Sequence, residues 1–369
     1  MLDVTNQISK YDKAEQQGRS LIPNRAIQAF GLDVFSAAGY PYRIAQASEL
    51  WRYHDVMHHG RFERNLALIG EDLDTGLLST AKSAVNVLVS FSRSRFGFES
   101  AAKDMMSRAI YQFKLLSAAL SGEPRPWTVM EVGPGSGYLG LLLGLDGHKY
   151  IALEASQAFF IYQSTLYSDV FGDAYSDGLD GDSGAQISHM PWWSFCAEAS
   201  CIPHLTAVTA NHMLAEMNKL GVSFLFEKLQ RSQREGFTVF AESLGARTIN
   251  SVDSVTQNIA NQGFDVVEDS DDLWRFKRTT MQPQVLRYQP DRAVAIRRKL
   301  LRIYVGLGTI PYIGHLVRLA PRTVRRLLGK PRRNSSSSTA ESPTSTTREI
   351  FRPYVNFESA EFRFENNRW

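Results

Sequence analysis

Cysteine is scarce in this sequence, since Cys196 and Cys201 are the only two among 369 residues. Two cysteines cannot supply the several cross-links of a small secreted scaffold, and such low usage is typical of a reducing compartment. No histidine or second cysteine pair lies at metal-ligand spacing from them. We therefore interpret both as small core residues rather than as half of a zinc site.

Long apolar runs are missing as well. No stretch of roughly 18 uncharged apolar residues is present, and residues 303–317 come nearest to one. Residues 1–20 are polar and charged, without the apolar core of a secretory signal. These absences predict a cytoplasmic protein, and a hydrophobic content of 43% provides ample material for a core.

A strand, a glycine-rich turn, a helix and a second strand follow one another in the middle of the chain. Residues 127–132 are apolar and rich in β-formers, residues 138–145 suit an apolar helix, and residues 150–153 form another apolar run that ends on Glu154. This order predicts a βαβ unit that holds a nucleoside. The turn before the helix consists of Gly133, Pro134, Gly135, Ser136 and Gly137.

The spacing within this unit is what nucleoside binding requires. Glycines lack Cβ atoms, so the backbone can turn sharply and a ligand can lie against it. The helix that follows offers unpaired N–H groups in its first turn. Glu154 stands 21 residues after Gly133, close to the spacing of about 20 at which an acid receives ribose hydroxyls. The alternative is an ordinary βαβ turn that binds no ligand.

Glu131 followed by the turn 133–137 resembles the first motif of class I S-adenosylmethionine-dependent methyltransferases, and residues 153–155 resemble the second. The resemblance implies S-adenosylmethionine as cofactor and an α/β fold with a Rossmann-like, seven-stranded sheet. The turn also fits the dinucleotide pattern G-x-G-x-x-G, so an NAD- or nucleotide-sugar-dependent oxidoreductase is the alternative. The predicted cofactor-binding residues are Glu131, Gly133, Pro134, Gly135, Ser136, Gly137, Glu154 and Asn211.

Aromatic and polar residues follow the third and fourth predicted strands. The third strand lies near residues 186–189 and precedes Trp192 and Trp193, whose rings suit the wall of a sugar site, with burial in the core as the alternative. Because parallel strands place ligands at their carboxyl ends, methyl donor and acceptor are expected to meet there. The fourth strand, 206–210, continues towards Asn211, His212 and Glu216.

The order H-x-P-W-W and then N-H-x-L-x-E-M resembles a bacterial group of sugar O-methyltransferases, over about residues 125–280. This implies methyl transfer to a sugar hydroxyl of a glycan or lipid-linked saccharide. We predict His212 as the general base and His189 as second choice, with Glu216 orienting His212 or binding acceptor hydroxyls. A non-catalytic, methyltransferase-like scaffold at the membrane surface is a further alternative. The acceptor, the metal dependence and the oligomeric state stay open.

The region before the sheet is predicted to be a helical extension. Apolar residues recur at helical spacing in residues 44–59, 79–91 and 99–120. His54 and His58 are four residues apart, a geometry that can bind a metal on one helix face, and His59 follows directly. No acidic third ligand is fixed nearby in the sequence, so no metal site is predicted.

Later segments complete the predicted sheet. Residues 172–186 are rich in glycine and aspartate and are predicted to be a surface loop, since their aspartates do not keep the register of a calcium loop. Residues 237–242 are predicted as the fifth strand. Residues 264–268 and 273–277 are predicted to form the antiparallel hairpin that the methyltransferase resemblance implies.

Positive charge is concentrated near the C-terminus. Residues 287–333 contain 13 Lys or Arg residues against one acid, Asp291, although the net charge of the whole chain is only +3. This pattern predicts an element on an anionic membrane surface, with a phosphate-rich partner or a solvated basic face as alternatives and no specific nucleic-acid partner. The predicted domains are 1–122 (helical extension), 123–282 (cofactor domain), 283–330 (basic segment), 331–349 (Ser/Thr/Pro-rich linker) and 350–369 (aromatic tail).

Overall fold

The computed structural model describes most of the chain up to residue 242 and a few later segments. The described residues belong to one compact unit, formed by Met1–Thr280 and Ser342–Trp369, whereas the second unit, Met281–Glu341, lies outside them. The basic segment therefore remains a prediction. The described residues are 3–30, 42–56, 60–70, 73–181, 184–197, 202–214, 216–217, 219–233, 237–242, 264–269, 274–278 and 345–351, with Val255, Gln257, Ile259 and Ala260.

An eight-stranded sheet forms the centre of this unit, in the order β3-β4-β2-β1-β5-β6-β8-β7. Strands β1 to β6 pair in parallel, and β8 pairs antiparallel with both β6 and β7. The predicted closing hairpin is thus present. The strands are β1 Thr128–Val132, β2 Lys149–Leu153, β3 Tyr175–Ser176, β4 Ile187–His189, β5 Ala207–Thr209, β6 Thr238–Ala241, β7 Phe264–Asp269 and β8 Trp274–Arg278.

The register of the two central strands brings the predicted nucleoside residues together. Val132 pairs with Leu153 at the last position of β1 and β2, so Gly133 and Glu154 follow side by side at the same edge of the sheet. Every residue of β1 and β2 except Thr128 and Lys149 is buried, as expected for parallel strands that are covered on both faces.

The predicted count of seven strands was one too low among the described residues. Within the segment expected to be only a surface loop, Tyr175–Ser176 pairs with Ile187 and Ser188 and forms an edge strand. A strand of two residues has too little sequence for an alternating pattern to reveal it. Gly178 follows at φ 65°, where an added Cβ would lie 2.1 Å from the carbonyl oxygen of His189, so the chain needs glycine at this return.

Helices precede the sheet, as expected for the N-terminal extension, but their bounds differ from the predictions. The predicted helix 44–59 is reduced to a short 3₁₀ helix, Ala47–Tyr53, whereas the predicted helix 79–91 extends over Thr75–Phe96, with Asp74 accepting a hydrogen bond from the Leu77 N–H at its start. The N-terminal helices are α1 Val4–Arg19, α2 Asn24–Ala29, α3 Phe62–Ile69, α4 Thr75–Phe96 and α5 Lys103–Ala119.

The helix that follows the glycine turn, α6 (Tyr138–Leu145), is buried along almost its whole length. It contacts β2 as well as α4 and α5, so the N-terminal extension covers the face of α6 that would otherwise meet solvent. Leu141, Leu142 and Leu143 are each fully buried and contribute about 1.5–3 kcal/mol apiece relative to exposure. The extension and the sheet consequently share one hydrophobic core.

Three helices lie between or after the parallel strands: α7 Gln157–Phe171, α8 Trp192–Cys196 and α9 Lys219–Ser232. A last helix, α10 (Ser345–Phe351), begins inside the predicted linker. Its Phe351 is buried with its ring centroid 5.1 Å from that of Phe62, and Thr347 Oγ1 donates to the Gly70 carbonyl oxygen at 2.6 Å. The start of the predicted aromatic tail therefore packs on the N-terminal helices.

Within the part of the chain that the structure describes, no helix combines the length and the apolar character needed to cross a bilayer.

Candidate functional site

The glycine turn adopts a backbone that only glycine forms without strain. Gly133, Gly135 and Gly137 have φ values of 67°, 60° and 78°. The Gly133 N–H donates to the Leu153 carbonyl oxygen at 2.9 Å, and the Gly137 N–H donates to the Pro134 carbonyl oxygen at 3.1 Å. This glycine loop, residues 133–137, bends sharply after β1 and leads into the first turn of α6.

Side chains of α7 hold this loop from the opposite side. Tyr167 Oη donates to the Gly137 carbonyl oxygen at 2.7 Å, and Gln163 Nε2 donates to the Gly135 carbonyl oxygen. An added Cβ on Gly137 would lie 2.4 Å from Tyr167 Oη. Ser136, predicted to bind the cofactor, instead donates its hydroxyl to the Tyr53 carbonyl oxygen at 2.7 Å, which ties the loop to the N-terminal extension.

Glu154 is buried at the end of β2 and is in direct contact with the glycine loop. Its carboxylate accepts the Ser156 N–H at 2.8 Å and further hydrogen bonds from the backbone of Gly135 and Ala155. Burial nevertheless dominates and raises the pKa of Glu154 to about 7. The side chain of Gln163 is a fourth hydrogen-bond donor to this carboxylate.

Glu131 lies below the loop, within β1. Tyr150 Oη donates to its carboxylate at 2.7 Å, and Asn211 Nδ2 is 3.5 Å from its other oxygen. Burial raises the pKa of Glu131 to about 7, in spite of these two hydrogen bonds. Glu131 and Asn211, both predicted on the cofactor side, thus contact one another.

His212 follows β5 in a strained backbone conformation. Its φ of 59° lies in the left-handed region that non-glycine residues seldom adopt, and such strain clusters at functional sites. Its Nε2 is 2.9 Å from Oε2 of Glu242, a fully buried carboxylate directly after β6, and 25% of the His212 side chain is exposed. The structure therefore pairs His212 with Glu242, where the sequence suggested Glu216.

The partners of Glu242 were not foreseen. Arg108, on α5, donates from both Nε and Nη2 to the two carboxylate oxygens, with Nε to Oε2 at 3.0 Å. Gln112, one turn further along α5, lies 3.4 Å from Oε2. Glu242 ends a parallel strand, which is a usable signal for a site residue. Arg108 has no such signal, because its partner is 134 residues away.

Asn211 contacts both Glu131, on the predicted cofactor side, and Glu242, the partner of His212. Its Oδ1 accepts the Glu242 N–H at 2.9 Å, while its Nδ2 faces Glu131. Met213, on the other side of His212, lies over the loop, since an added Cβ on Gly133 would be 2.3 Å from Met213 Sδ. A buried polar chain consequently connects Glu131, through Asn211, to the Glu242–His212 pair.

The geometry does not favour the second-choice base, His189. Both ring nitrogens are engaged inside the core: Nδ1 is 2.9 Å from Tyr175 Oη and Nε2 is 2.8 Å from Gln163 Oε1. Burial lowers the pKa of His189 to about 3. Its ring helps to hold Gln163, which in turn holds the glycine loop, so His189 supports the loop from behind.

Trp192 and Trp193 are both buried, in agreement with the core alternative. Trp192 Nε1 donates to Glu15 Oε1 at 3.1 Å, and the Trp193 ring packs edge-on against Tyr11 at 5.2 Å between centroids. Both tryptophans therefore anchor α1.

Glu216 is half-buried in the turn after β5, where its N–H donates to the Met213 carbonyl oxygen at 2.9 Å.

His54 does not have the surroundings of a metal ligand. Its Nδ1 is 2.8 Å from Tyr162 Oη and its Nε2 is 3.1 Å from the Ser100 carbonyl oxygen, while burial lowers its pKa to about 4. His58 and His59 lie outside the described residues. No group of three or more metal-ligating side chains occurs within the described part of the chain.

No protein-family model and no curated protein matches the sequence. Similar solved structures include magnesium protoporphyrin IX methyltransferase from Synechocystis PCC 6803 with bound SAH (13% identity, 52% of this chain, 94% of that chain, TM-score 0.36). Another is a TehB-like SAM-dependent methyltransferase from Corynebacterium glutamicum (10% identity, 46% of this chain, 87% of that chain, TM-score 0.34). A third is a glycopeptide N-methyltransferase complexed with sinefungin (11% identity, 46% of this chain, 86% of that chain, TM-score 0.34). These identities and TM-scores are low, so the function has to be argued from this chain's own residues.

Proposed function

We propose that this protein is an S-adenosylmethionine-dependent methyltransferase. The main support is the junction of β1 and β2, where the glycine loop and the buried Glu154 carboxylate are in hydrogen-bond contact. N–H groups of the first turn of α6 would hold the cofactor, and Glu154 would accept its ribose hydroxyls. When bound, the cofactor supplies a methyl group that its sulfonium charge has already activated.

The acceptor is proposed to be a hydroxyl group, for which His212 acts as general base. The exposed quarter of the His212 side chain gives an acceptor access to it. With Nε2 facing Glu242, Nδ1 is the nitrogen that would take the proton, and Glu242 would stabilise the imidazolium that results. Arg108 holds Glu242 in place for this task.

The proposal of a sugar as acceptor rests on the resemblance of the motifs around residues 189–193 and 211–217. It does not rest on Trp192 and Trp193, which are buried against α1. Mass spectrometry of cell-envelope glycans with and without the protein tests it directly. A saccharide that lacks one CH2 unit when the protein is absent would support the proposal, and unchanged glycans would contradict it.

Calorimetric titration of the full-length protein with S-adenosylhomocysteine and, separately, with NADH tests the cofactor. Binding of the first compound alone supports the methyltransferase. Binding of NADH alone would favour the oxidoreductase, to which the pattern Gly135, Gly137 and Gly140 also conforms. Binding of neither would favour the non-catalytic scaffold.

The affinity for S-adenosylhomocysteine is expected to increase with pH up to about 7 and to level off above it. The reason is that burial raises the pKa of Glu154 to about 7, and a protonated carboxyl must lose its proton before it accepts two ribose hydroxyls. Below this pKa the affinity should fall by up to roughly tenfold per pH unit. Titrations between about pH 6 and pH 8 measure this effect.

The control for the pH profile is Glu154→Gln. This variant should bind more weakly and with a flatter profile. Glu131, whose pKa burial also raises to about 7, is unchanged in the variant, so the difference between the two profiles isolates Glu154. Identical profiles would show that Glu154 does not receive the ligand.

Arg108→Lys is expected to lower kcat by about three- to tenfold without changing the affinity for S-adenosylhomocysteine. Lysine keeps the positive charge but loses the two-pronged contact with Glu242, so the carboxylate that positions His212 is held less firmly. Steady-state kinetics at saturating cofactor measures the change.

Arg95→Lys provides a matched control. Arg95 makes the same two-pronged contact with Asp169, between α4 and α7, and its side chain is also largely buried. This variant should lose a similar amount of stability and keep its kcat. Equal losses of kcat in both variants would mean that Arg108 acts only on stability.

A further inference from the structure

The hydroxyl of Tyr11 has no hydrogen-bond partner in the described part of the chain, although Tyr11 is fully buried on α1. A buried hydroxyl without a partner destabilises the folded state and calls for an explanation. Other fully buried tyrosines behave differently: Tyr138 Oη donates to the His54 carbonyl oxygen, Tyr150 Oη to Glu131 and Tyr167 Oη to Gly137. Tyr11 belongs to the helical extension; Thr209 Oγ1, in β5, is another buried hydroxyl without a partner among the described residues.

Tyr11 packs against the helix that begins just after Glu154, the residue proposed to receive the ribose. Its ring packs against Phe160, in the first turn of the helix that follows Glu154, with centroids 4.7 Å apart. Burial is the main cause that raises the pKa of Tyr11, and the negative charges of Glu15 and Glu154 add to it. The phenol consequently stays protonated and available as a donor.

Helix α1 is fastened firmly at this position. Gln157 Nε2, from the start of α7, donates to Asp12 Oδ1 at 2.9 Å, and Arg43 binds both Asp12 and Glu15. Gly18 lies against Trp193 so closely that an added Cβ would be 2.0 Å from its Cδ1. Tyr11 is therefore held on both sides along the helix and cannot turn away to find water.

We propose that Tyr11 is a cofactor-binding residue, whose hydroxyl donates a hydrogen bond to a ribose hydroxyl oxygen of S-adenosylmethionine beside Glu154. This inference rests on the proposed function, since it needs that cofactor in the crevice. It makes the N-terminal extension part of the cofactor site. The bound ribose satisfies the hydroxyl that the protein alone leaves without a partner.

The test compares full-length wild-type protein with Tyr11→Phe by calorimetric titration with S-adenosylhomocysteine and by thermal unfolding without ligand. We expect the affinity of the variant to fall by about five- to tenfold. Its melting temperature without ligand should stay unchanged or rise by about 1–3 °C, because the substitution removes an unsatisfied buried group. A residue with only a structural role would not show this opposite pair of effects.

Two controls complete the design. Tyr162→Phe removes a hydroxyl that lies 2.8 Å from both His54 Nδ1 and Tyr138 Oη, so it should lower the melting temperature and leave the affinity unchanged. The 2′-deoxy and 3′-deoxy forms of S-adenosylhomocysteine identify the ribose oxygen, since one of them should bind wild type and Tyr11→Phe equally well. If Tyr11→Phe lowers the affinity for S-adenosylhomocysteine and for both deoxy forms by the same factor, the ribose contact is overturned.

Failure of the inference can be told apart from failure of the proposed function. If wild type binds S-adenosylhomocysteine and Tyr11→Phe binds it just as tightly, Tyr11 is not a cofactor ligand although the methyltransferase proposal stands. If wild type does not bind S-adenosylhomocysteine at all, both proposals are overturned.

Discussion

Replacing His212 with asparagine is expected to lower kcat by about 10²- to 10⁴-fold, the range that a general base contributes. Asparagine suits this position because His212 has a φ of 59°, which asparagine adopts more readily than most residues with a side chain. The affinity for S-adenosylhomocysteine should hardly change, since the glycine loop and Glu154 are intact. Single-turnover transfer of a labelled methyl group measures the chemical step directly.

His204→Asn is the control for this substitution. His204 is exposed in the segment before β5 and does not stand at the carboxyl end of a strand. Its variant should transfer methyl groups at the wild-type rate. A His212→Asn protein that keeps the wild-type kcat would exclude His212 as the base, and one that loses cofactor binding to the same degree would assign it to binding instead.

Gly137→Ala is expected to abolish measurable binding of S-adenosylhomocysteine. At φ 78° an alanine is strained by about 1–2 kcal/mol. In addition, its Cβ would lie 2.4 Å from Tyr167 Oη and 2.8 Å from Gln163 Cγ, the side chains that hold the loop. Relief of this overlap requires the loop to move away from α7, which displaces the N–H groups proposed to hold the cofactor. Calorimetric titration measures the loss.

Gly147→Ala separates the backbone strain from the overlap. Gly147 has a similar φ of 82°, lies just beyond the other end of α6, and has nothing within 4 Å of an added Cβ. This variant should lose about 1–2 kcal/mol of stability and retain wild-type affinity. If Gly147→Ala loses affinity as severely as Gly137→Ala, the strain itself, and not the loop position, governs binding.

The cofactor half of the site could be predicted because it is local in the sequence. Gly133 and Glu154 end two strands that are joined by a single helix, and parallel pairing brings their ends together. The positive φ values of the loop follow from the glycines that supply them. The same rule pointed to Asn211 and His212 at the end of the next strand in the sheet.

The remaining parts of the site depend on contacts between distant segments. Nothing near Arg108 indicates that it meets Glu242, since the pair is set by how α5 packs on the sheet. His189 and the two tryptophans belong to motifs that suit a ligand site. In the core, however, His189 bonds Gln163, Trp192 donates to Glu15, and Trp193 packs against Tyr11. Residue type alone does not distinguish these two uses.

The parallel α/β core and the glycine loop with its acid can be predicted from the amino-acid order alone, because strand periodicity, glycine conformation and spacing along the chain are local properties. The pairing of Glu242, rather than Glu216, with His212 and the packing of Tyr11 on Phe160, just after Glu154, follow only from the folded structure. Burial and hydrogen-bond partners arise from packing between segments that lie far apart in the chain, so they exist only once the chain has folded.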